Sequence, residues 1–406
     1  MPFNKSIGTN LSRIKIINQF SIREVIYRFG PISRLDIAER LGLTLPTVTT
    51  NISSMLANGI IKEVGKSSKD DGCKTLGRKT MLIDISEDSR YFIGVEIRQG
   101  FRRVVLTNLR GTVLSCLSDD AFFRDYEDAV NNASLLVKQM IKSNAADFSP
   151  ISAIGICLPG LVDSENGELK IQPNYKWFDK DVVLDFSKLL GMDIPIYLEN
   201  NAIARAYGLS IFDSKQLKKA DTLAYMFVSA GIACPMLNNV RLHFGNIVGE
   251  GEVGHMIMNP DGPECGCGNH GCLEAYSSEN AIRKKYEASL KNEDQDRSLP
   301  SIKDIIEKQM QGDKVADDVI DEAIFYLGLS IANIDNFVHP ECVAIECKLF
   351  DNDENRKALL DVIHSNLYRE TFSDYRFIFI KSDDYSGARG AAAIAVKHTL
   401  ELYIRG

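Results

Sequence analysis

No apolar run in the sequence is long enough to cross a bilayer. The longest stretch without charge, Thr222 to Val240, is interrupted by Ser229, Gly231, Pro235 and paired asparagines. A membrane-spanning helix needs about 20 largely apolar residues. The stretch therefore reads as two buried strands and a turn. The N-terminus, Met-Pro-Phe-Asn-Lys, lacks the basic start and apolar core of a secretory signal. Without one, nine cysteines in 406 residues suggest a reducing compartment, so a cytoplasmic location is expected. Basic charge is scarce along most of the chain. Residues 1–80 hold 13 Lys and Arg against 6 Asp and Glu, a net of +7, whereas the whole chain carries −8 and the remainder therefore −15. Such asymmetry points to an anionic partner for the N-terminal segment alone. Hydrophobic content of 45% and charged content of 25% are those of a globular protein, and the length exceeds one core, so two or three domains are expected.

The most informative segment runs from Glu252 to Glu274. It reads Glu252-Val-Gly-His255, then Cys265-Gly-Cys267-Gly-Asn-His-Gly-Cys272-Leu-Glu274. Three thiols and an imidazole at this spacing make a structural zinc set, with His255, Cys265, Cys267 and Cys272 as ligands and no open position for water. The alternative is a group of ordinary buried cysteines. A closed site staples a loop, and here the loop carries Glu252 and Glu274 at its edges. Cys73, Cys116, Cys157, Cys234, Cys342 and Cys347 are scattered and read mostly as small core residues.

Residues 11–29 carry a helical stripe of Ile14, Ile16, Ile17, Phe20, Ile22, Val25 and Ile26. Ser33-Arg-Leu-Asp36 has the form of a capping box opening a second helix, with Leu35, Ile37, Ala38 and Leu41 as its apolar set. Gly42 ends it. Thr44 caps a third helix with Pro46 in its first turn. Val48, Ile52, Met55 and Leu56 are expected inward, leaving Thr47, Thr49, Thr50 and Asn51 outward. A short strand, Ile60–Val64, follows. Helix, helix, turn, helix, strand is a winged helix-turn-helix, and the short polar face of the third helix suits hydrogen bonds to base edges in the major groove. Lys62, Lys66 and Lys69 could meet phosphates. A three-helix protein-interaction module is the alternative. Residues 65–80 read as a linker or wing tip, in which Arg78 and Lys79 are either solubilising charges or minor-groove contacts.

From Met81 the pattern becomes two successive strand-rich α/β units with helices between them, suggesting two lobes around a cleft. These motifs resemble the ROK family, which groups sugar-responsive repressors with sugar kinases. The resemblance rests on Ile154-Gly-Ile-Cys-Leu-Pro-Gly160-Leu-Val-Asp163, on Pro173-Asn174-Tyr-Lys-Trp177, on the Glu252 to Glu274 segment, and on Ser386-Gly-Ala-Arg-Gly-Ala-Ala. It implies an actin-like, ribonuclease-H-like double lobe behind the winged helix. The expected units are residues 1–80, then 81–200 completed by the C-terminal helix 388–406, then 201–387. It also implies sugar contacts from Gly160, Asn174, Asn200, Asn201, Glu252, His255 and Glu274, with His255 shared between zinc and sugar.

The departures from the family's kinases bear on function. Where they carry an Asp and a Gly-Gly-Thr phosphate loop, this chain has Gly94-Val-Glu96-Ile-Arg98-Gln-Gly100. Their second phosphate loop appears as Val228-Ser-Ala-Gly231-Ile-Ala-Cys-Pro235, and their late Gly-Gly as Glu346-Cys347. Their Glu-Asn-Asp, whose Asp takes the proton from the sugar hydroxyl, is Glu199-Asn200-Asn201. An amide cannot serve as that base, a loss worth on the order of 10²–10⁴ in rate. The expectation is a non-enzymatic, sugar-responsive repressor of carbohydrate-use genes that binds operator DNA as a dimer. An amide at Asn201 could also donate to a phosphorylated sugar, so a sugar or a sugar phosphate is the expected effector, unless that position has merely drifted. The alternative is an ATP-dependent sugar kinase with a fused DNA-binding domain. A third possibility is a repressor governed by a partner protein.

Overall fold

The computed structural model describes residues 11–66, 80–145, 147–217, 220–238, 241–243, 248–290, 300–368 and 376–400. Helices α1 (Leu11–Phe29), α2 (Arg34–Leu41) and α3 (Leu45–Ala57) form the N-terminal unit with strands β1 (Ile32–Ser33), β2 (Ile61–Lys66) and β3 (Met81–Ile85). The starts are set locally. The Ser33 hydroxyl oxygen accepts the Asp36 N–H and its proton goes to the Asp36 carboxylate, while Thr44 accepts from Thr47 and Gly42 closes α2 in the left-handed region. Ile22, Ile26, Ile37, Val48 and Ile52 are buried at the centre of the unit. Strand β3 pairs antiparallel with β2 and with β1, so the wing sheet continues past the expected boundary at residue 80. Some assignments of facing are corrected. Ile14, Ile16 and Leu35 are exposed, and Asn51 is buried, because it falls on the stripe Val48, Asn51, Ile52, Met55 rather than opposite it. Arg78, Lys69, Lys79 and Cys73 lie outside the described residues.

The body has two sheets of the same plan. The first contains β4 (Tyr91–Arg98), β5 (Phe101–Asn108), β6 (Val113–Asp119), β7 (Ile151–Leu158) and β11 (Ile196–Asn200). Its order is β6-β5-β4-β7-β11, antiparallel among the first three and parallel beyond β4. A side sheet of β8 (Leu161–Asp163), β9 (Glu168–Gln172) and β10 (Trp177–Lys180) leaves from the end of β7. The second main sheet comprises β12 (Thr222–Val228), β13 (Ile232–Ala233), β14 (Met236–Asn238), β15 (Arg241–Leu242), β16 (Cys342–Glu346) and β17 (Phe377–Ile380). It runs β15-β14-β12-β16-β17, again antiparallel then parallel, with β13 paired to β12. This repetition is the double lobe.

The first lobe carries α4 (Tyr126–Asn144) and α5 (Val182–Leu190). The second carries α7 (Leu273–Ser277), α8 (Glu279–Ser289), α9 (Ile302–Met310), α10 (Lys314–Val338) and α11 (Asp353–Asn366). Two further helices, α6 (Asn201–Phe212) and α12 (Ser386–Leu400), sit between the sheets and pack on each other. Small residues permit this. Gly94 and Gly155 are cross-strand partners, and a Cβ on either would stand 1.8 Å from a carbonyl oxygen of α12, at Ala388 and Ala391 respectively. The C-terminal helix thus lies directly on the first sheet.

Candidate functional site

The metal-type cluster is built by one loop. Glu252 is followed by a single turn, Val253–His255, and the chain returns through bridges joining Ile257 to Cys272 and Glu264 to His270. Gly271 adopts φ 69°, and a Cβ there would stand 1.5 Å from the Asn259 carbonyl oxygen, so only glycine lets the two legs meet. The candidate donor atoms of His255, Cys265, Cys267 and Cys272 all lie within 4.8 Å of one another. Cys267 and Cys272 Sγ are 3.8 Å apart, and His255 Nδ1 is 3.7 Å from Cys265 Sγ. With zinc–sulfur bonds of about 2.3 Å, two thiolates on a tetrahedral ion stand about 3.8 Å apart. The donor set and its spacing therefore fit a four-coordinate zinc-type ion, with Nδ1 of His255 turned to the thiols.

Next to this loop opens a cleft whose lining includes Gly160, Ser164, Glu199, Asn200, Glu250 and Glu252. Of the residues expected to contact sugar, Gly160, Asn200 and Glu252 meet there. Asn200 caps α6 by accepting from Ala202 N–H at 2.8 Å, and its amide donates to the Gly160 carbonyl at 2.9 Å. Glu274 accepts from the Ile232 N–H at 3.3 Å. Burial pushes its carboxyl up, with His255 opposing. Burial and then the neighbouring Glu274 push Glu252 up to about 7. Asn174 is exposed, and its side-chain oxygen lies 3.9 Å from where a Cβ on Gly266 would stand, so it borders the metal-type loop and not the cleft. Asn201 is buried as the first residue of α6. It does not line the cleft, and its carbonyl accepts from Arg205 at 3.3 Å.

Three polar lining residues were not among the expected sugar contacts: Ser164, Glu199 and Glu250. Glu199 is buried, and burial pushes its carboxyl up to about 7 against the Asn200 N–H, Lys397 and Ser164, with Glu250 adding to the rise. The sign of the consequence follows from linkage. Below the ordinary value of 4.5 both folded and unfolded states are protonated. Between 4.5 and about 7 the unfolded state gives up the proton first, so stability falls as pH rises through that window. The loss is on the order of 3 kcal/mol. Thermal melts from pH 4.5 to 8 are expected to show a shallower decline in Glu199→Gln than in the parent chain. Parallel pH profiles would mean that the parent carboxyl titrates normally.

A buried charged network lies between the two main sheets. Arg205 of α6 reaches Glu96 of β4 at 2.9 Å and Glu346 of β16 at 3.3 Å. Tyr225 of β12 donates to Glu346 at 2.6 Å. Arg98 pairs with Glu96 at 3.1 Å and donates to Ser229 at 3.4 Å. Glu96, Arg205, Glu346 and Tyr225 are all buried. Burial pushes Glu96 up, but Arg205 and Arg98 outweigh it and hold the carboxyl below its usual range, whereas burial prevails at Glu346 and raises it. The network joins both sheets through α6.

On α3 the exposed face presents Thr44, Pro46, Thr49 and Thr50, with Thr47 half-buried and Ser53 and Ser54 continuing the row. The Thr50 hydroxyl donates to the Pro46 carbonyl and Ser53 to that of Thr49, leaving oxygen lone pairs outward. Asn51, whose amide donates to the Thr47 carbonyl at 2.8 Å from a buried position, is removed from this face. Lys62 stands 3.9 Å from Glu87, and Arg34 pairs with Glu63 at 2.8 Å.

Comparison with known proteins agrees with both halves. A winged helix-turn-helix DNA-binding family matches residues 18–62, and the ROK family matches residues 93–398. The xylose repressor of Bacillus subtilis (strain 168) is 26% identical over 398 residues, covering 96% of this chain and 97% of the relative. The DNA-binding transcriptional dual regulator NagC of Escherichia coli (strain K12) is 28% identical over 407 residues, covering 96% and 95%. Among solved structures, a ROK family transcriptional regulator described as a homolog of the E. coli MLC protein superposes with a TM-score of 0.77 at 25% identity, covering 96% of this chain and 97% of that one. A ROK family glucokinase from Streptomyces griseus, solved with glucose and AMPPNP, gives a TM-score of 0.62 at 22% identity over 75% of this chain and 98% of its own, a likeness of fold alone.

Proposed function

The chain belongs to the ROK family, and from that membership together with its winged helix we propose that it is a sugar-responsive, DNA-binding transcriptional repressor of carbohydrate-use genes. The observation that carries the non-catalytic reading is the buried Glu96–Arg205–Glu346 network. In this reading two carboxylates stand where a kinase of this family needs small residues and backbone amides for nucleotide phosphate. Asn201 in place of the expected Asp removes the base as well. The cleft beside the metal-type loop is thus a place to bind a sugar without consuming it.

In this reading Gly160, Asn200, Glu199 and Glu252 receive the effector's hydroxyls, and His255, Glu274, Asn174 and Asn201 hold the surrounding loops. Zinc on His255, Cys265, Cys267 and Cys272 fixes the loop that carries Glu252. The acidic lining favours an uncharged sugar over a sugar phosphate, because a phosphate would meet Glu199, Glu250 and Glu252 together. Thr44, Pro46, Thr47, Thr49 and Thr50 face the major groove, and Arg78 is a minor-groove contact. Two copies would read a near-palindromic operator with half-sites about one helical turn apart.

The test has two parts. Selection from random duplexes with the zinc-replete full chain should return a near-palindrome. Thr49→Ala and Thr50→Ala should weaken its binding by about 1–3 kcal/mol each if they read bases. Thermal-shift screening against free sugars, sugar phosphates and ATP with magnesium should show stabilisation by a sugar and none by ATP. Stabilisation by ATP would return the kinase reading. A sugar 6-phosphate that binds tighter than its free sugar would overturn the preference for an uncharged effector.

A further inference from the structure

One helix connects the cleft to the DNA-binding unit. At its start, Asn200 and Ile203 line the cleft, and Asn200 ties the helix to the Gly160 carbonyl. At its end, the Phe212 ring fills the space beneath the turn between β5 and β6. A Cβ on Gly111, at φ 73°, would stand 2.2 Å from that ring. Asp213, the next residue, holds Arg389 of α12 at 2.5 and 3.3 Å, and Arg389 donates to the Gly111 carbonyl at 2.9 Å. The neighbouring Arg110 then leaves the lobe. Its guanidinium donates to the Tyr27 carbonyl on α1 and pairs with Asp84 on β3. The Tyr27 hydroxyl returns the contact, donating to Leu109 at 2.6 Å. Both ends of the helix are therefore pinned, one to the cleft wall and one, through a single turn, to the winged helix.

The helix between them is suited to move as one piece. Residues Asn201 to Ile211 are all buried, and Gly208 approaches Gly390 of α12 so closely that a Cβ would stand 3.1 Å from its Cα. A packed interior transmits a displacement because it has little free volume to absorb one. Resting on the sugar-repressor reading above, we propose that α6 couples effector to operator, with Asp213, Arg389 and Arg110 as the positioning residues. An effector that pulls on Asn200 or Glu199 shifts α6. Phe212 and Asp213 then carry the Leu109–Gly111 turn, and the turn carries Tyr27 and Asp84, reorienting α3 relative to its DNA half-site. Other contacts between the units, such as Arg28 near Asp221 at 3.9 Å, do not touch the end of α6.

The experiment measures operator affinity of the zinc-replete full chain by fluorescence anisotropy, with and without D-xylose or N-acetylglucosamine as probe, alongside calorimetric sugar affinity. In the parent chain the active probe should weaken operator binding about 5–150-fold. In Asp213→Asn and in Arg110→Gln that ratio should collapse toward one while sugar affinity stays as in the parent. Both side chains are partly exposed, so the variants should fold. Arg124→Ala, which removes an exposed pair with Asp128 on α4, should keep the parent ratio. Parent-like ratios in both coupling variants would overturn the relay alone. A parent chain whose operator binding ignores every sugar would overturn the effector reading, and the relay with it.

Discussion

Replacement of Arg205 by methionine is expected to lower the unfolding free energy by about 3–5 kcal/mol, read as a fall in the urea midpoint. The cause is what the substitution leaves behind. Glu96 and Glu346 are both buried and both face Arg205, at 2.9 and 3.3 Å. Without the guanidinium, two carboxylates remain between β4 and β16, opposed at close range by Arg98 and Tyr225 and more weakly by Arg103. Glu346 already lies above its ordinary range, so the site can respond only by taking up a proton, and the deficit should grow as pH rises. Adding Glu96→Gln and Glu346→Gln to the methionine variant should recover most of the loss, since a neutral set of similar volume is often no worse than a buried ion group. A single Arg205→Met chain within about 1 kcal/mol of the parent would mean that water reaches the network and that it does not join the lobes. The same network accounts for the expected indifference to ATP, because Arg205 and Arg98 are already engaged by Glu96 and Glu346 and are not free to receive phosphate.

What was readable in the sequence was what is local. The caps at Ser33 and Thr44, the left-handed stop at Gly42 and the strand Ile151–Leu158 depend on neighbours a few residues away, and they stand as expected. The four donors of the metal-type cluster lie within 18 residues, and they too converge. One error was local, at Asn51, and the others arose where a residue's environment comes from far away. Asn51 looked outward because it is polar, but its spacing from Val48 and Met55 places it inward, where the Thr47 carbonyl satisfies its amide. Met81–Ile85 signalled a change of pattern correctly, yet its partner is the wing strand β2 on the other side of the linker. Glu199 and Glu250 became cleft residues only when β11 and the second lobe were brought together. Arg205 did leave a trace, as the one charge in the helix Asn201–Phe212, which is otherwise largely apolar and small. A lone arginine on a helix buried all round implies acidic partners from other elements, and those are separated from it by 109 and 141 residues.

Cys272→Ser should abolish tight zinc retention and lower both the melting temperature and the affinity for the effector sugar. His255 and Cys272 close a loop of 18 residues that Glu252 and Glu274 flank. In the chain-entropy view, cross-linking a loop of about that length is worth about 3 kcal/mol. At roughly 2–4 °C per kcal/mol for a domain of 150–250 residues, the melting temperature should fall by roughly 6–12 °C. The sugar effect has a separate cause. Glu252 lines the cleft directly after Gly251, at φ 84°, so its direction depends on the turn that His255 anchors. Loss of the anchor frees that turn, and the carboxylate no longer waits in place for a hydroxyl. Chelation of the parent chain should reproduce both effects, and zinc should reverse them. Cys116→Ser, at an exposed cysteine outside the cluster, should stay within about 0.5 kcal/mol of the parent. Unchanged melting and sugar affinity in a metal-free Cys272→Ser chain would show that the loop holds its shape through the backbone alone, by Gly271 against Asn259 and the bridges at Cys272 and His270.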